Sequence, residues 1–548
     1  MKRKLFLLVA VVFFIGSMVM PVFGAQKTNT VSVSLPNFKV TINGEVINND
    51  YSKYPLIVYN NITYFPMTYS DCRFLGIEST WKGNLVGLTV EKTGVTAAYQ
   101  LYKSSAKNGR NYTATVPTFP VTVNGKAIDN SKETYPLLSF RDITYFPMTW
   151  AYATNAFGWD YSFDDKKGLI IQSDNIKLTQ IALTKNRPTQ SEYDPYPGKL
   201  SDCVLPIGDM VYYDEKKGGI MQAPLSNLSK AKNIYQLEVW SYGDGTTFDQ
   251  HNFYIENGLP YLFFHSGGAV MGSDHRYQLK NDGTIQLIQE SYWETTLIGN
   301  TLYSYWIGPT PGPGNLSTQE LNASESKQLG GSDYWYYALS CHDLNGVPKL
   351  SLVGDELYVR AAQVLSHATT DGAIQLGDQA VYKVNIKTNA VTRVSKQSAI
   401  TAQIIGQSLY YNDGKSAYKV SLTDNTEENL GNLTGISTSD YESKFAVVGD
   451  KVYWVNTNNG ELYTLGKQDS LNPGAELDSM GILGDKGEYL VCTFKETQAS
   501  KYRMMVFDQT GKVVFKTSDK TFCKNVSIKG HQISFYNITT ETICRATI

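Results

Sequence analysis

The chain has 548 residues, too many for a single hydrophobic core, so we expect two to four domains. Its formal net charge is −2, only 18% of residues are charged, and no basic block stands out, which argues against nucleic acid as a partner. The 38 tyrosines and 45 glycines favour a β-rich protein, because tyrosine suits half-buried strands and glycine suits tight turns.

The first 25 residues have the three parts of a secretory signal peptide. Basic residues at positions 2–4 precede an uncharged apolar run, Leu5–Val19, and small residues follow at Gly24 and Ala25. We predict cleavage after residue 24 or 25 and a secreted, extracellular protein, with association with the cell wall as one option. An uncleaved anchor is the alternative, since the run approaches the length of a membrane span. No membrane span is expected after cleavage.

The heptapeptide ITYFPMT occurs twice, at Ile62–Thr68 and Ile143–Thr149. It belongs to a longer repeat, because Phe38–Thr68 and Phe119–Thr149 align without gaps and are identical at more than half of their positions. We therefore predict two copies of one fold unit. The predicted boundaries are 36–92 for the first unit, 93–116 for a connecting segment and 117–173 for the second unit.

Each unit is predicted to be a small sheet with one helix. In the first unit Phe38–Ile42 and Glu45–Ile47 are strands, joined by Asn43-Gly44, a sequence typical of a type I′ hairpin turn. Asn60-Asn61 is a second turn and Ile62–Phe65 a third strand. The last strand of each unit is predicted at Leu85–Val90 and at Gly168–Gln172.

A helix is predicted directly after the third strand of each unit. Pro66 has no N–H to donate and a fixed φ, which suits the first position of a helix. This helix should reach Leu75, with Gly76 as its left-handed cap. In the second unit the helix is predicted over Pro147–Phe157, capped by Gly158.

The two units resemble the copper amine oxidase N-terminal-like domain found in secreted proteins of Gram-positive bacteria. The resemblance covers Phe38–Gln172 and implies a non-catalytic stalk or attachment module. The motifs that carry it are the turns Asn43-Gly44 and Asn124-Gly125, the joins Thr63–Pro66 and Thr144–Pro147, and the Gly–Trp pairs Gly76, Trp81 and Gly158, Trp159.

Copper amine oxidase activity itself is not expected. That chemistry needs a tyrosine in an Asn-Tyr-Asp/Glu context and a His-x-His pair, whereas Asn111-Tyr112 is followed by Thr113 and no His-x-His occurs. Met67 and Met148 could meet a soft metal, but methionine at such positions is more often core filling. We therefore predict neither a metal site nor a cofactor.

Leu183–Leu200 contains three prolines and no periodicity, so we place a linker at 174–200 and a second repetitive region at 201–548. In that region a glycine turn followed by an apolar–tyrosine strand recurs about every 40–50 residues, the size of a four-stranded propeller blade. The recurring positions are 212, 261, 303, 358, 410, 453, 489 and 534.

The recurring positions indicate a β-propeller of seven or eight blades, with six blades or a pair of β-sandwiches as alternatives. The pattern is similar to propeller-like domains of secreted bacterial proteins, related to the YWTD propellers. The predicted fold is therefore mostly β, with two small α+β stalk modules followed by a β-propeller.

The six cysteines are too sparse to form the framework of a chain of this length. No CxxC or CxxH spacing occurs, which disfavours a zinc site. Cys523 and Cys544 could face each other on one terminal sheet and are the candidate disulfide. The alternative is that they are small buried apolar side chains.

No catalytic group can be assigned from the sequence. Glycan cleavage needs two carboxylates, and candidates are present, but aspartates in turns are ordinary. A Gly-rich turn is the simpler interpretation of HSGG at His265–Gly268, and no G-x-S-x-G occurs. We therefore predict that the protein is not an enzyme. The candidate carboxylates are Asp244, Asp249, Asp274 and Asp343.

The preferred function is a secreted or cell-surface binding protein, in which stalk modules present a propeller to a protein or glycan of the cell envelope. Aromatic residues on rim loops would supply flat contact surfaces, although strand packing explains them equally well. The alternative function is a secreted propeller enzyme that acts on glycans or peptides through an unidentified acidic pair. The candidate binding residues are Tyr292, Trp293, Tyr305, Trp306, Tyr334 and Trp335.

Overall fold

The computed structural model describes residues 29–183, 203–215, 219–237, 240–241, 247–248, 251–266, 272–307, 312–341, 344–366, 374–496 and 501–548. The predicted signal peptide, residues 184–200 of the predicted linker, and Asp244, Asp249 and Asp343 lie outside these ranges. In the described part of the chain, no helix is both long enough and apolar enough to span a membrane.

Residues 29–172 form an N-terminal lobe of short strands. Its helical segments are α1, Tyr69–Phe74, a π-helical segment, Trp150–Ala156, and a 3-10 turn, Asn49–Tyr51. The strands are β1 Thr30–Ser34, β2 Val40–Ile42, β3 Glu45–Val46, β4 Ile57–Tyr59, β5 Ile62–Pro66, β6 Ile77–Trp81, β7 Leu88–Lys92, β8 Asn111–Thr115, β9 Val121–Val123, β10 Lys126–Ile128, β11 Leu138–Phe140, β12 Ile143–Pro147, β13 Asp160–Asp164 and β14 Gly168–Gln172.

The predicted hairpin turn is present in both units. Asn43 and Gly44 have φ values of +46° and +86°, and Asn124 and Gly125 have +47° and +77°. A type I′ turn needs positive φ at both central residues, which asparagine and glycine tolerate best. The Asn43 side chain also donates to the Phe74 carbonyl oxygen at 2.9 Å, so the turn is attached to the end of α1.

The helices begin later than predicted. Pro66 and Pro147 are the last residues of β5 and β12 rather than the first residues of helices. Thr68 is the N-cap of α1, because its hydroxyl oxygen accepts a hydrogen bond from the Asp71 N–H at 3.1 Å. Proline is tolerated where each strand ends, since the lost N–H interrupts no further pairing of that strand. Gly76, with φ of +76°, follows the helix as predicted.

The two ITYFP strands pair with each other. β5 and β12 run antiparallel with Phe65 opposite Phe146, so that Tyr64 lies opposite Pro147 and Tyr145 opposite Pro66. This pair is part of a closed six-stranded barrel in the order β1-β4-β5-β12-β11-β8, in which β1 and β8 come from just before the first and the second repeat. The repeated heptapeptide is therefore the contact between the two repeats.

The repeats also exchange their last strands. β14 of the second repeat pairs in parallel with β2 of the first, and β7 of the first pairs in parallel with β9 of the second. The prediction of a separate sheet for each unit is wrong, because each four-stranded sheet contains strands of both repeats. Gly87 and Gly168 permit the crossings: a Cβ would lie 1.7 Å from the Pro120 oxygen and 1.9 Å from the Lys39 oxygen, respectively.

The remaining strands form nine sheets over the described residues, and eight of these sheets are arranged as the blades of a propeller. A two-stranded hairpin, β20 and β21, lies between the first two blades, and single 3-10 turns occupy Leu228–Lys230 and Cys523–Asn525. The hairpin strands are β20 Trp240–Ser241 and β21 Thr247–Phe248. Blade 1 contains β16 Val204–Ile207, β17 Met210–Glu215, β18 Gly219–Pro224 and β19 Lys232–Gln236, and blade 2 contains β22 His251–Glu256, β23 Leu259–Ser266, β24 Ser273–Leu279 and β25 Ile285–Glu290. Blade 3 contains β26 Trp293–Ile298, β27 Thr301–Trp306, β28 Leu316–Glu320 and β29 Lys327–Gln328, and blade 4 contains β30 Tyr334–Tyr337, β31 Ser351–Val353, β32 Glu356–Ser366, β33 Gln375–Leu376, β34 Ala380–Asn385 and β35 Val391–Arg393.

Blades 5 to 8 complete the ring. Blade 6 has three strands in the described residues, and the fourth strand of blade 8 is β15, Thr179–Ala182, from before the ring. The strands are β36 Thr401–Ile405, β37 Ser408–Asn412, β38 Ser416–Ser421, β39 Glu427–Asn432; β40 Phe445–Val448, β41 Lys451–Asn456, β42 Glu461–Thr464; β43 Ala475–Leu483, β44 Tyr489–Glu496, β45 Lys501–Phe507, β46 Val513–Thr517; β47 Val526–Lys529, β48 Gln532–Asn537 and β49 Thr542–Thr547.

The predicted repeat marks the second strand of every blade, which confirms the propeller. The eight recurring positions fall on β17, β23, β27, β32, β37, β41, β44 and β48. In most blades a glycine with positive φ begins the turn before this strand; Gly208, Gly354 and Gly530 have φ of +56°, +61° and +55°. Glycine at the first central position is the requirement of a type II′ hairpin.

Two contacts close the ring and join it to the N-terminal lobe. β15 pairs antiparallel with β49, so the chain entering the propeller supplies the outer strand of the last blade. This strand lies inside the segment predicted as a linker, which is therefore not wholly irregular. The second contact joins the N-terminal lobe to blade 7, where the Thr96 N–H donates to the Lys516 carbonyl oxygen at 2.7 Å. One buried core spans blades 1, 2, 7 and 8.

Candidate functional site: a charged cavity inside the propeller

A segment of blade 4, residues 344–349, crosses the inside of the ring. Asn345 pairs with Gly481 of blade 7 as an isolated parallel bridge, and its side chain donates to the Cys523 carbonyl oxygen at 3.2 Å. Gly346 allows the approach, since a Cβ there would lie 2.1 Å from the Ile482 oxygen. Leu344 and Val347 are buried against blades 6 and 7. We call residues 344–349 the crossing segment.

A cavity of about 760 Å³ lies between the crossing segment and blades 2, 3 and 7. Its wall includes acidic, basic and aromatic side chains from parts of the chain that are far apart in sequence. The charged and aromatic residues of the wall include Glu256, Arg276, Glu294, Lys349, Tyr441 and Asp478.

Three charged residues of the cavity wall form one buried group. Arg276 comes from β24, Glu256 from the end of β22 and Glu294 from β26 of the next blade. They are only 6%, 6% and 4% exposed, respectively. Burying charges this deeply costs several kcal/mol for each ion unless they are paired, so the pairing holds the group together.

The arginine lies between the two carboxylates. Its Nη2 donates to Glu294 Oε1, while its Nη1 lies 3.7 Å from Glu256 Oε2 and donates to the Thr295 carbonyl oxygen at 2.6 Å. The guanidinium also lies over the Tyr254 ring, with 5.3 Å from its central carbon to the ring centroid. Glu294 therefore has the close, hydrogen-bonded contact and Glu256 the looser one.

Burial shifts the protonation of two wall residues. It raises the pKa of Glu256; the Arg276 charge opposes this rise and the Glu294 charge adds to it. Burial lowers the pKa of Lys349, whose Nζ donates to the Cys341 carbonyl oxygen at 3.0 Å. The cavity therefore holds an acid that is easier to protonate than usual next to a carboxylate bonded to arginine.

Asp478, on the blade 7 side of the cavity, is a further acid whose burial raises its pKa. The Thr493 hydroxyl donates to its Oδ2 at 3.3 Å, which lowers the pKa in part. Tyr441, 66% exposed, stands at the opening and presents an aromatic ring to solvent. The cavity can thus offer proton-transfer groups inside and a flat apolar surface at its mouth.

Two histidine contacts lie near the cavity on opposite faces of blade 2. The Ser266 hydroxyl lies 2.7 Å from His275 Nε2, and His275 stacks on Phe264 at 4.6 Å between ring centroids. On the other face, His265 Nδ1 lies 2.8 Å from Asp274 Oδ1, and Asp274 lines the cavity. Burial lowers the pKa of His275, which favours the neutral imidazole.

The predicted rim aromatics separate into two groups. Tyr292 and Trp293 pack against Trp306, at 6.0 and 5.5 Å between ring centroids, and Tyr292 lies 6.4 Å from His265. This aromatic cluster is half-buried and lies on the blade 3 side of His265.

The other predicted aromatics do not join this cluster. Tyr305 is buried, 5% exposed, in the core shared by blades 3 and 4, so it cannot be a rim contact. The ring of Tyr334 lies 5.3 Å from the ring of Tyr382, measured between centroids, so Tyr334 packs against another strand of blade 4. Trp335 is half-buried on the same strand, β30.

Cys523 and Cys544, the candidate disulfide, are both free thiols. The Cys523 thiol donates to the Val491 carbonyl oxygen at 3.2 Å, across the boundary with blade 7. Cys544 lies on β49, with its sulfur 3.9 Å from the Gln180 amide nitrogen. The two side chains therefore meet different neighbours. Met67 and Met148 are buried in the core of the N-terminal lobe.

Glu256, Arg276 and Glu294 were not predicted as site residues from the sequence. No spacing rule connects them, because their approach depends on two adjacent blades packing face to face. A weak signal existed: each is a charged residue on a strand that also carries apolar and aromatic residues, as in HNFYIE, SDHRYQL and WETTLI. A charged side chain there must be paired once the sheet is buried.

No protein-family model matches the chain, and no curated protein matches it in sequence. The resemblance of the N-terminal repeats to copper amine oxidase N-terminal-like domains therefore stays a prediction.

The chain is similar to solved propeller structures. BamB from Moraxella catarrhalis is 11% identical with a TM-score of 0.38, over 68% of this chain and 100% of that one. Porphyromonas gingivalis dipeptidyl peptidase 4 is 8% identical with a TM-score of 0.39, over 64% of this chain and 59% of that one. An oligogalacturonate lyase in complex with manganese is 9% identical with a TM-score of 0.33, over 56% of this chain and 94% of that one. These likenesses concern the fold alone.

The prediction that the protein is not an enzyme is corrected. It depended on the lack of a catalytic constellation in the sequence, whereas the structure brings together Glu256, Arg276 and Glu294 and, separately, Ser266 and His275. The absence of catalytic motifs from the sequence therefore did not justify the prediction that the protein is not an enzyme.

Proposed function

We propose that the protein is an exported propeller enzyme that cleaves glycans in the cavity beside the crossing segment. The observation that carries the proposal is the pair of buried carboxyl groups, Glu256 and Glu294, on either side of Arg276. Enzymes that hydrolyse glycosidic bonds use two carboxyl groups whose environments push their pKa values apart.

Glu256 is the proton donor in this proposal. Burial raises its pKa, which keeps a larger fraction of the side chain protonated near neutral pH. It lines the cavity, so its proton can reach the oxygen of a leaving sugar. Loss of that proton leaves a carboxylate close to Arg276, which stabilises the charge that remains.

Glu294 is the base or nucleophile. Arg276 Nη2 donates to its Oε1, which favours the ionised carboxylate and fixes its orientation. As a base it would remove a proton from water; as a nucleophile it would bond to the anomeric carbon before water releases the sugar. Arg276 acts as a positioning residue for both carboxyl groups.

The rest of the wall fits a carbohydrate. Tyr441 at the opening can stack on the C–H face of a sugar ring, while Asp478 and Lys349 can exchange hydrogen bonds with hydroxyl groups. The aromatic cluster Tyr292, Trp293 and Trp306 lies on the adjacent rim and would extend the contact to further sugar units.

The test uses the purified full mature protein and a panel of polysaccharides and cell-wall preparations. We expect new reducing ends with at least one glycan. Glu256→Gln and Glu294→Gln should each lower kcat about 100-fold or more, because each removes one proton-transfer group. Glu320→Gln, an exposed glutamate on blade 3, is the matched control and should keep full activity.

The pH profile separates the two roles. Activity should fall at high pH as Glu256 loses its proton, and this limb should disappear in Glu256→Gln, whose remaining activity depends only on the other carboxylate. Full activity in both Gln variants would exclude this cavity as the catalytic site. Failure of the folded wild-type protein to cleave any glycan of the panel would refute the proposal.

Peptide cleavage is the second candidate, because Ser266 and His275 are within hydrogen-bond distance at 2.7 Å. Among the described residues no hydrogen bond reaches His275 Nδ1, whereas in a serine hydrolase an acid orients the histidine there. A fluorophosphonate probe distinguishes the two: labelling of wild type that is lost in Ser266→Ala favours a peptidase or esterase, and unlabelled protein favours the glycan reaction.

We also propose that the N-terminal lobe attaches this enzyme to the cell envelope. The stalk-like repeats, the signal-like segment at 1–25 and the contact from Thr96 to Lys516 support that arrangement. Deleting residues 29–172 alone would remove the contact of Thr96 with blade 7, so the better test is binding of the full chain to isolated cell walls. Retention by walls and release by soluble wall fragments are expected.

A further inference from the structure

Three metal-binding side chains meet at the boundary between blades 1 and 2, apart from the charged cavity. Cys203 immediately precedes β16, Asp214 lies on β17 and His251 is the first residue of β22. Their ligand atoms, one sulfur, one carboxylate oxygen and one imidazole nitrogen, all lie within 4.8 Å of one another. All three residues are buried, at 7%, 0% and 7% exposure, respectively.

We propose that Cys203, Asp214 and His251 bind one zinc ion that ties blade 1 to blade 2. Zinc accepts sulfur, nitrogen and oxygen ligands at about 2.0–2.3 Å, so tetrahedral ligands lie roughly 3.3–3.6 Å apart. His251 Nε2 and Asp214 Oδ2 are already 3.1 Å apart. A small movement of the Cys203 side chain completes the arrangement, and a water molecule can take the fourth position.

The charges of the cluster favour the binding of a cation. Asp214 is fully buried, and among the described residues its only ion-pair partner is His251. Its second oxygen, Oδ1, is buried and accepts no hydrogen bond within that part of the chain. A buried carboxylate with an unsatisfied oxygen is costly. A divalent ion bound by one carboxylate, one thiolate and one neutral imidazole gives a site with no net charge.

This site was not predicted from the sequence, because its ligands follow no metal-binding spacing. His251 and Asp214 are 37 residues apart and are brought together only by the packing of neighbouring blades. The position also suits a structural role. Blade 1 begins at this point, directly after the segment that joins the ring to β15, so an ion there would hold the start of the ring against blade 2.

The first test needs no variant. The full mature protein is stripped with a chelator, dialysed and loaded with ZnCl₂ or CoCl₂. We expect one equivalent of zinc, X-ray absorption with one sulfur at about 2.3 Å and nitrogen or oxygen at about 2.0 Å, and a thiolate-to-cobalt charge-transfer band. Zinc should raise the melting temperature by several degrees, and its affinity should fall as pH falls, because the thiol and imidazole must lose protons.

Variants test whether these three side chains are the metal ligands. Cys203→Ser should abolish the charge-transfer band, and Asp214→Asn should weaken zinc binding about tenfold or more. Cys544→Ser, which changes a buried thiol of blade 8, is the matched control and should keep both. Absence of stoichiometric metal and of a cobalt–thiolate band in the folded wild type would overturn the proposal. So would an unchanged band in Cys203→Ser, since the sulfur ligand would then be another cysteine.

Discussion

Replacing Arg276 by methionine tests whether the two cavity carboxylates depend on one guanidinium. The variant keeps an unbranched apolar side chain about as long as the aliphatic part of arginine and removes the charged guanidinium, which leaves Glu256 and Glu294 buried next to each other. With an effective dielectric constant of about 20, the contact from Arg276 Nη1 to Glu256 Oε2 at 3.7 Å contributes about 4.5 kcal/mol of attraction. Breaking a buried pair by removing one partner typically costs about 3–5 kcal/mol.

We therefore expect Arg276→Met to lower the free energy of unfolding by about 3–5 kcal/mol at pH 7. The loss should depend on pH. Without the arginine, whose charge opposes the effect of burial, the folded-state pKa of Glu256 rises further above the unfolded value of about 4.3. A raised folded pKa costs stability only above the unfolded pKa, so the difference between variant and wild type should grow from pH 5 to pH 8.

The assay is urea denaturation of the full mature protein followed by tryptophan fluorescence, with calorimetry to resolve the transitions of its parts. Glu256→Gln/Arg276→Met/Glu294→Gln should recover most of the loss, because it removes all three charges together. Arg393→Met, which breaks a surface pair with Asp378, should cost less than about 1 kcal/mol. A loss in Arg276→Met below about 1 kcal/mol, or one that is equal at pH 5 and pH 8, would refute the reasoning.

Two further predictions concern the N-terminal lobe and its contact with the ring. Gly168→Ala should destabilise the lobe by about 3 kcal/mol or more in thermal unfolding, because the new Cβ would lie 1.9 Å from the Lys39 oxygen. The control is Gly125→Ala, where φ is similar at +77° but no atom lies near the new Cβ, so the loss of stability should be only about 1 kcal/mol. Equal losses would exclude the steric explanation. Burial raises the pKa of Asp519 to about 6, so Asp519→Asn should stabilise the protein by about 1–3 kcal/mol at pH 7.5. This gain should vanish below about pH 4, and a gain that persists there would contradict the assigned cause.

Local features of the chain predicted much of the secondary structure and the propeller. Asn43-Gly44 and the glycines before each second strand need positive φ, so the turns follow from residue type alone. The alternation of apolar and polar residues then marks the strands between them. Pro66 was misplaced, because proline suits both the first turn of a helix and the end of a strand, and only the pairing of β5 with β12 decides between them.

The candidate site was not predictable in this way. Glu256 belongs to one blade and Glu294 to the next, and their approach to Arg276 depends on how two sheets pack. The same holds for His251 and Asp214. Cavity residues such as Lys349 come from a segment that crosses the ring, which no local pattern marks as different from a loop.

The sequence by itself therefore determined that two similar units precede about eight similar blades, because strands and turns follow from the residues within each unit. Tertiary structure alone decided that the two ITYFP strands pair with each other, that the last strands of the repeats are exchanged, and that buried charges of different blades meet. The interactions that determine this tertiary arrangement are hydrogen bonds and ion pairs between residues far apart in the chain. Their partners are fixed only when the sheets pack and water is excluded.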